Sequence, residues 1–589
     1  MKKMLSVICA VFLTLPVVAV QYYVSGNGTA GNPWCDGKSW GVTACAMTMS
    51  GDNGSITFQG VPAGAYQFKV TNGSSWFGMA KFRSSCSNLY ASGNDNICFN
   101  TQAQQDITIT YDGTGICLTG TVGNEYPDTT QYGAVGVPSE YEGVMMQCFY
   151  WDSYNNKGYG RTKWIDLIPM AEEIGENFDL LWFPPSGNGG GTGYYTKRYS
   201  SQDSDWGSMG KLKELIGLLH GKGAKVIGDI VVNHRASSSG WCAFSNENFG
   251  SYGQFQMTSE HLCSGDECFT DKQSDCRNSS ARGAADTGDN DAGCRDLDHT
   301  SEFVQNFVKA YLSWMRNTMG YDGWRYDMVK GYSGSYVSMY NQSSEPFFSV
   351  AEYWDGNPNN LRSYLESASY NTTVFDFSLK YKFNSNIGKG SYAGMKNAGL
   401  RSIGLQKYAV TFIDNHDTFE RSDNQSDEYI GYKKNLAANK PKILQANAYL
   451  LMLPGTPCVF FPHWVTFKNE INSMIALRKA AGVHNESEVS DESASASAYS
   501  ATIQGHHGSV ILRMGSGRDQ SVPAGYFRAI QGNDFDIYAS NGVVFSPVNI
   551  TANEQVLGEP NNSEKQIIDG HLYIRKNGCT YDATGRLIR

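Results

Sequence analysis

The chain has 589 residues, a net charge of −10 and a composition rich in glycine, tyrosine and tryptophan. This length exceeds what one hydrophobic core supports, so several domains are expected. The acidic balance and the lack of a basic run argue against nucleic acid or an anionic membrane surface as a partner.

Residues 1–19 are typical of a secretory signal peptide, because Lys2 and Lys3 precede an apolar run that ends before the small residue Ala19. The run is too short to predict a membrane span, and no later stretch is long and apolar enough, so no transmembrane segment is expected. We therefore predict a secreted or cell-surface protein. Thirteen of the fourteen cysteines follow this segment, and export would permit them to form disulfides.

Residues 21–122 contain short alternating runs separated by Gly, Asn, Asp and Ser, which predicts an N-terminal β-sandwich. Four aromatic residues there could either form a platform for sugar rings or fill the core of the sandwich: Trp34, Trp40, Trp76 and Phe77. Residues 123–142 lack periodicity and are interpreted as a linker.

From residue 143 to residue 482, strand patterns alternate with helix patterns, which indicates a parallel sheet. The eight predicted strands are Val144–Tyr150, Asp179–Phe183, Lys225–Val232, Gly323–Gly331, Phe347–Val350, Val374–Phe377, Tyr408–Ile413 and Pro457–Phe461. Eight strands are enough to close an α/β fold of the (β/α)8, or TIM barrel, type. Residues 235–298, after the third strand, have no such rhythm and are predicted to form a long functional insertion.

After residue 482 the helical patterns cease, and residues 483–541 are predicted to form a C-terminal antiparallel β domain. Residues 542–589 form a predicted tail with one further strand, His571–Arg575. This tail could be a sorting or anchoring segment, or a plain β-hairpin packed on its neighbour.

Polar side chains collect where the barrel strands end, which is where the active sites of such barrels lie. They are Asp229, Asn233 and His234 after the third strand, Arg325, Asp327 and Lys330 on the fourth, Glu352 on the fifth, and Asn415, His416 and Asp417 on the seventh. Carboxylates on separate strands that face one mouth suit glycoside hydrolysis, although carboxylates also bind metals. Alternation places Arg325 and Asp327 on one face, a pairing that is also common in buried structural ion pairs.

Four segments together resemble the signature regions of the α-amylase family: Asp229 to His234, Gly323 to Asp327, Ala351-Glu352 and Phe412 to Asp417. Further segments are similar to plant-type α-amylases in particular: Gly193-Tyr194, Leu215 to Gly223, Asp286 to Gly288, Asp296 to His299, Ser521 to Tyr526 and Gly532 to Asp534. The resemblance covers residues 143–541 and leaves the N-terminal domain and the tail outside. A starch-binding role for residues 21–122 is a hypothesis that rests on their position beside the resembling barrel and on their aromatic residues.

The resemblance implies a retaining mechanism in which Asp327 is the nucleophile, Glu352 is the general acid and then base, and Asp417 binds sugar hydroxyls. Retention requires the two catalytic carboxyls to lie about 5–5.5 Å apart. The implied substrate-binding residues are Tyr194, His234, Arg325, Lys330, Trp354 and His416. For His234 alone, a structural role in the core is the alternative.

The resemblance also implies a calcium ion. Side-chain oxygens would come from Asn233, Asp286 and Asp296, and backbone carbonyls from Asp289 and Gly331. Hard oxygen donors suit calcium rather than zinc, although residues 286–291 could instead be a solvated acidic loop. The five cysteines of the insertion lack zinc-finger spacing with histidine, so disulfides are predicted there.

The sequence thus predicts a secreted, endo-acting α-amylase that hydrolyses α-1,4 bonds of starch and related α-glucans, requires calcium and acts as a monomer. An α-glucan transglycosylase, an enzyme that forms one defined oligosaccharide, and an inactive glucan-binding protein remain alternatives.

Overall fold

The structure is a computed structural model. It describes residues 20–551 except 29–31, 52, 63, 83, 86–88, 92–95, 102, 113, 121, 124–134, 156–157, 290–292, 420–435 and 437–438, and beyond them only 564–568, 571–576 and 579–582. The predicted signal peptide and much of the predicted linker lie outside the described residues.

Eight parallel strands close into a barrel, as predicted. They are β1 (Met145–Gln147), β2 (Leu180–Trp182), β3 (Lys225–Ile230), β4 (Gly323–Tyr326), β5 (Phe348–Ala351), β6 (Thr373–Phe375), β7 (Ala409–Phe412) and β8 (Thr456–Phe460). Each strand pairs with the next, and β8 pairs with β1. Nearly all strand residues are buried, because helices cover the outside of the barrel and side chains fill its inside.

Helices connect the strands and lie around the barrel. The α-helices are Trp164–Leu167, Ala171–Asn177, Met209–His220, Glu302–Trp314, Gly334–Ser344, Pro358–Ser367, Phe377–Ser385, Lys440–Met452, Phe461–Thr466 and Lys468–Ala481. Met209–His220 shows how the sequence sets such an element. The Ser208 side chain caps its first turn, and the apolar residues Leu212 and Ile216, four positions apart on one face, are buried.

The two ends of the insertion after β3 lie next to each other at the barrel. His234–Arg235 pairs in antiparallel fashion with Arg295–Asp296, so both ends of the insertion lie beside the mouth of the barrel. The Cys242–Cys276 disulfide links two of its loops, which confirms that a disulfide forms in this region. A buried ion pair between Arg235 and Glu247, 2.5 Å apart, also holds the insertion together.

The N-terminal domain consists of two β-sheets that enclose one core, as expected for a sandwich. One sheet contains Tyr23–Gly26, Cys45–Ala46, Gly64–Thr71, Trp76–Phe77, Tyr90–Ala91, Ile97–Thr101 and Val122–Gly123, and the other contains Thr48–Ser50, Asn53–Val61, Ser84–Ser85, Gln105–Tyr111 and Gly115–Thr119. Trp34 is fully buried against Phe58 and Phe99, so this tryptophan fills the core. Trp40 and Trp76 remain exposed.

The C-terminal domain is one six-stranded sheet. Its strands are Val489–Ala494, Tyr499–Gly505, Gly508–Met514, Tyr526–Gly532, Phe535–Ser540 and Val548–Asn549. The last strand lies beyond residue 541, where the sequence pattern placed the start of the tail. A separate three-stranded sheet follows: Glu564–Ile568, His571–Lys576 and Cys579–Asp582. No helix in the part of the chain that the structure describes has the length and hydropathy of a membrane span.

Candidate active site

Arg325 is the centre of a cluster of carboxylates at the mouth of the barrel. Its guanidinium is fully buried, and Nη1 lies 2.8 Å from Asp229 Oδ1 and 2.5 Å from Asp327 Oδ1. Nη2 lies 2.8 Å from Glu352 Oε1. Strand alternation explains the contact with Asp327, and the parallel register of β4 and β5 brings in Glu352. Asp327 and Glu352, the predicted nucleophile and general acid, therefore contact the same guanidinium group.

Glu352 is surrounded by groups that favour its protonated form. Burial raises the pKa of Glu352 well above its usual range, and the negative charges of Asp327 and Asp417 raise it further. Arg325 opposes this effect, as does the backbone N–H of Met328, which donates to Oε2 at 3.1 Å. A carboxyl group that stays protonated beside ionisable carboxylates is suited to donate a proton.

Asp229 anchors Arg325 from the side of β3. Its Oδ2 accepts hydrogen bonds from Trp182 Nε1 at 3.0 Å and from the Tyr194 hydroxyl at 2.9 Å. Burial raises the pKa of Asp229, and Arg325 lowers it. These donors occupy Oδ2 while Oδ1 faces Arg325, so Asp229 holds the guanidinium in place.

Three flat side chains stack beside the carboxylates. The rings of Tyr194 and His416 are nearly parallel, with centroids 5.2 Å apart, and Trp151 is nearly parallel to both. The orientation of His416 is fixed by Gln147, whose Nε2 lies 2.9 Å from Nδ1. The other ring nitrogen lies 3.2 Å from Asp417 Oδ2. The structure thus brings Tyr194, His416 and Asp417 together with the Arg325 cluster.

The remaining predicted substrate-binding residues lie at the edges of this cluster. His234 is buried, and its Nε2 lies 3.0 Å from the carbonyl oxygen of Tyr194. Lys330 is partly exposed, with Nζ 3.4 Å from Asp355 Oδ2. The Trp354 indole stacks on Phe377 with centroids 4.8 Å apart. His234 therefore supports the loop that carries Tyr194.

The five predicted metal ligands lie on segments beside and within the insertion and on the loop after β4, and pairwise contacts link these segments. A Cβ placed on Gly331 would lie 1.8 Å from Oδ1 of Asn233, so that oxygen packs against the glycine backbone. Asn233 Nδ2 lies 3.5 Å from Asp296 Oδ1. The backbone N–H of Asp289 donates to the carbonyl oxygen of Lys330 at 2.8 Å.

Asp286 completes this set. Its Oδ1 accepts from the Gly288 N–H at 3.0 Å, and Gly288 packs against the Lys330 carbonyl. Partial burial raises the pKa of Asp286, and the like charge of Asp289 adds to that effect. Carboxylate, amide and backbone oxygens on these neighbouring segments are the donor types that bind calcium.

Sequence reasoning did not single out Trp151 or Gln147, and it placed Asp229 at the barrel mouth without giving it a role. Gln147 is the last residue of β1, and Trp151 follows four residues later. Their position at the carboxyl end of a barrel strand is the signal that could have indicated a role in the site. Asp229 lies at the end of β3, and only the packing shows that Arg325 contacts it.

A closed barrel of eight parallel strands with acidic side chains at the carboxyl ends of β4, β5 and β7 is the arrangement that glycoside hydrolases of the barrel class use. The model of the α-amylase catalytic domain matches residues 177–501, more than half of the chain. The chain belongs to the α-amylase family.

Two relatives from Arabidopsis thaliana agree with this assignment. The chain is 29% identical over 436 residues to "Alpha-amylase 3, chloroplastic" of Arabidopsis thaliana, covering 69% of this chain and 45% of that protein. It is 27% identical over 391 residues to "Probable alpha-amylase 2" of the same plant, covering 61% of this chain and 86% of that one. The chain thus spans less than half the length of the first of these relatives.

A similar fold occurs in a solved α-amylase from Anoxybacillus. That structure has a TM-score of 0.50 and 14% sequence identity, and the similarity covers 70% of this chain and 100% of that one. The N-terminal domain and the tail are additions outside the residues that the catalytic-domain model matches.

Proposed function

We propose that this protein is an endo-acting α-amylase that hydrolyses α-1,4 bonds of starch and related α-glucans with retention of configuration. The contact of Asp327 and Glu352 with one buried guanidinium carries the proposal, because it brings two acidic side chains to one mouth. Arg325 contacts both carboxyl groups, and at Glu352 burial and the like charges of Asp327 and Asp417 outweigh that contact and raise the pKa, which favours the protonated form.

The reaction proceeds in two displacements at one carbon. In the first, a carboxylate oxygen of Asp327 bonds to the anomeric carbon while the glycosidic C–O bond breaks, and the Glu352 carboxyl gives its proton to the leaving oxygen. In the second, the Glu352 carboxylate takes a proton from water, and the water oxygen displaces Asp327 from the anomeric carbon. Each step inverts the carbon, so the product keeps the α configuration.

The other clustered residues bind the sugar in this proposal. Asp417 accepts hydrogen bonds from sugar hydroxyls, and His416 beside it donates to the same ring. Tyr194 presents its face to the apolar side of that ring. Lys330 and Trp354 lie toward the sugars on the leaving-group side, where an ammonium group and an indole contact hydroxyls and ring faces.

Proton NMR of the earliest products tests this function. Soluble starch or maltoheptaose is expected to release new reducing ends whose anomeric protons are first α and then mutarotate. A β anomer formed first would contradict retention. Products longer than the substrate would indicate a transglycosylase, a single product length would indicate a defined-oligosaccharide enzyme, and no release at all would indicate a glucan-binding protein.

We also propose that calcium binds Asn233, Asp286 and Asp296 through side chains and Asp289 and Gly331 through carbonyl oxygens. When bound, the ion would supply positive charge that joins the insertion to the loop after β4. It takes no part in the displacements.

Removal of divalent cations should therefore lower the melting temperature more than it lowers kcat of the protein that remains folded. EDTA is expected to shift Tm downwards, and calcium is expected to restore it more effectively than magnesium, because calcium takes more oxygen ligands in a less strict geometry than magnesium does. Asp296→Ala should abolish most of the calcium-dependent shift. Asp271→Ala, in the same insertion but outside the set, is the matched control and should keep it. An unchanged Tm in EDTA, or equal losses in both variants, would contradict the site.

The proposal includes export, which rests on the signal-like residues 1–19 and on the Cys242–Cys276 disulfide. Oligomeric state stays a prediction.

A further inference from the structure

Two tryptophans on the surface of the N-terminal domain leave large parts of their rings in water. Trp40 is 38% exposed and Trp76 is 40% exposed. Their ring centroids are 6.2 Å apart, and the ring planes are tilted by 56°. Val42, 39% exposed, lies in the same loop as Trp40. Exposed tryptophans in adjacent positions form an apolar patch that folding leaves uncovered.

The core of the sandwich does not include these rings. Trp34, Phe58, Tyr66, Phe68 and Phe99 pack against one another inside it and are all buried. Trp40 and Trp76 lie outside that core, so their exposure calls for another physical explanation.

Backbone contacts hold the two tryptophans in fixed positions. The Trp40 N–H donates to the Gly26 carbonyl oxygen at 3.0 Å. Trp76 lies in a short strand that pairs with Thr71 of the neighbouring strand, and the Thr71 hydroxyl contacts the Val42 carbonyl. The loop that carries Trp40 and the hairpin that carries Trp76 are therefore joined to one another.

The edge of the patch is polar. Ser74 and Ser75 are exposed beside Trp76, and their N–H groups are ordered by Asn72 Oδ1 at 3.2 and 2.8 Å. Apolar ring faces bordered by small hydroxyl and amide groups match a sugar chain, which presents apolar ring faces and hydroxyl edges.

We propose that Trp40 and Trp76 form a second glucan-binding site, separate from the cleft, that attaches the enzyme to chains of insoluble starch. This inference rests on the proposed function, because the barrel in the same chain acts on α-glucans. The tilt of the rings favours a curved α-1,4 chain, whose successive sugar faces turn, over a flat β-1,4 chain, whose faces lie in one plane.

Adsorption to granular starch tests the site in the full chain. The variants carry Glu352→Gln as well, so that hydrolysis does not erode the granules during the measurement. Trp40→Ala with Trp76→Ala is expected to weaken adsorption by at least tenfold, and each single substitution by less. Phe347→Ala is the matched control, since Phe347 is 38% exposed on the barrel, and it should adsorb as the parent does.

The same tryptophan substitutions in the active enzyme should leave kcat and KM on soluble maltoheptaose unchanged while slowing hydrolysis of granules. Trp40→Phe with Trp76→Phe should keep most of the adsorption, because it keeps the rings. Unchanged adsorption of the double alanine variant, or stronger retention of the parent on cellulose than on starch, would overturn the inference. Failure of the proposed function is a different result: the parent would release no reducing ends from maltoheptaose, whatever its adsorption.

Discussion

Replacing Glu352 by glutamine is expected to lower kcat on soluble starch by about 10²–10⁴-fold, the usual contribution of a positioned general acid. Glutamine keeps the size of the side chain but has no acidic proton that it can transfer to the leaving oxygen. KM should change little, because glutamine keeps the shape of Glu352, which contacts Arg325 and the Met328 N–H. Stopped reducing-end assays across a range of starch concentrations measure both constants.

A substrate that needs no proton on departure separates acid catalysis from structural damage. With an α-maltosyl fluoride, the rate of the first displacement should fall far less than the rate on starch. Glu492→Gln is the matched control, because Glu492 pairs with Arg401 at 2.6 Å outside the carboxylate cluster. It should keep the parent kcat. Equal activity of Glu352→Gln and the parent on starch would remove Glu352 as the acid.

The pH profile of the parent gives the same assignment a second check. Burial raises the pKa of Glu352, so the carboxyl keeps its proton at pH values where an ordinary glutamic acid, with a pKa of about 4.3, has lost it. Activity should therefore fall as the pH rises through that raised pKa. If activity instead fell around the ordinary pKa of glutamic acid, the pKa of Glu352 would not be raised by burial.

Replacing Arg325 by methionine is expected to lower the free energy of unfolding by about 3–5 kcal/mol near neutral pH, the usual cost of removing one partner from a buried ion pair. The guanidinium is fully buried and touches Asp229, Asp327 and Glu352, which would be left close together without their cation. Denaturant unfolding of the folded fraction measures the loss. Activity should fall as well, because Asp327 and Glu352, the proposed nucleophile and acid, both lose a positioning contact.

Two further measurements identify the cause of that loss. The stability deficit should shrink as the pH falls, because protonation removes the repulsion among carboxylates left with raised pKa values. Asp229→Asn should offset part of the deficit in the Arg325→Met background, although alone it destabilises the parent. Arg401→Met removes a cation that pairs with one carboxylate, that of Glu492. It should lower the free energy of unfolding by less than Arg325→Met does. A deficit that is independent of pH and additive with Asp229→Asn would show that packing, not charge, explains it.

The two domains outside the catalytic residues were predicted unevenly. Alternating runs were sufficient to predict the N-terminal sandwich, but they could not tell Trp34 in its core from Trp40 and Trp76 on its surface, because all three follow turn-rich segments. At the other end, the sequence pattern stopped at residue 541, whereas Val548–Asn549 still pairs in the C-terminal sheet. A two-residue strand carries no periodicity, so only pairing with its neighbour reveals it.

By itself, the sequence determined the barrel and the candidate catalytic side chains. Buried strands are continuous apolar runs, and the chemistry lies where those runs end, so both are local signals along the chain. The tertiary structure decided which of these groups share an environment. That Arg325 joins Asp229, Asp327 and Glu352, that Trp151 stacks with His416, and that Asn233 packs on Gly331 all depend on contacts between segments far apart in the chain. The charge state and orientation of a side chain follow from such contacts and from burial, and neither is a property of the residue's local sequence.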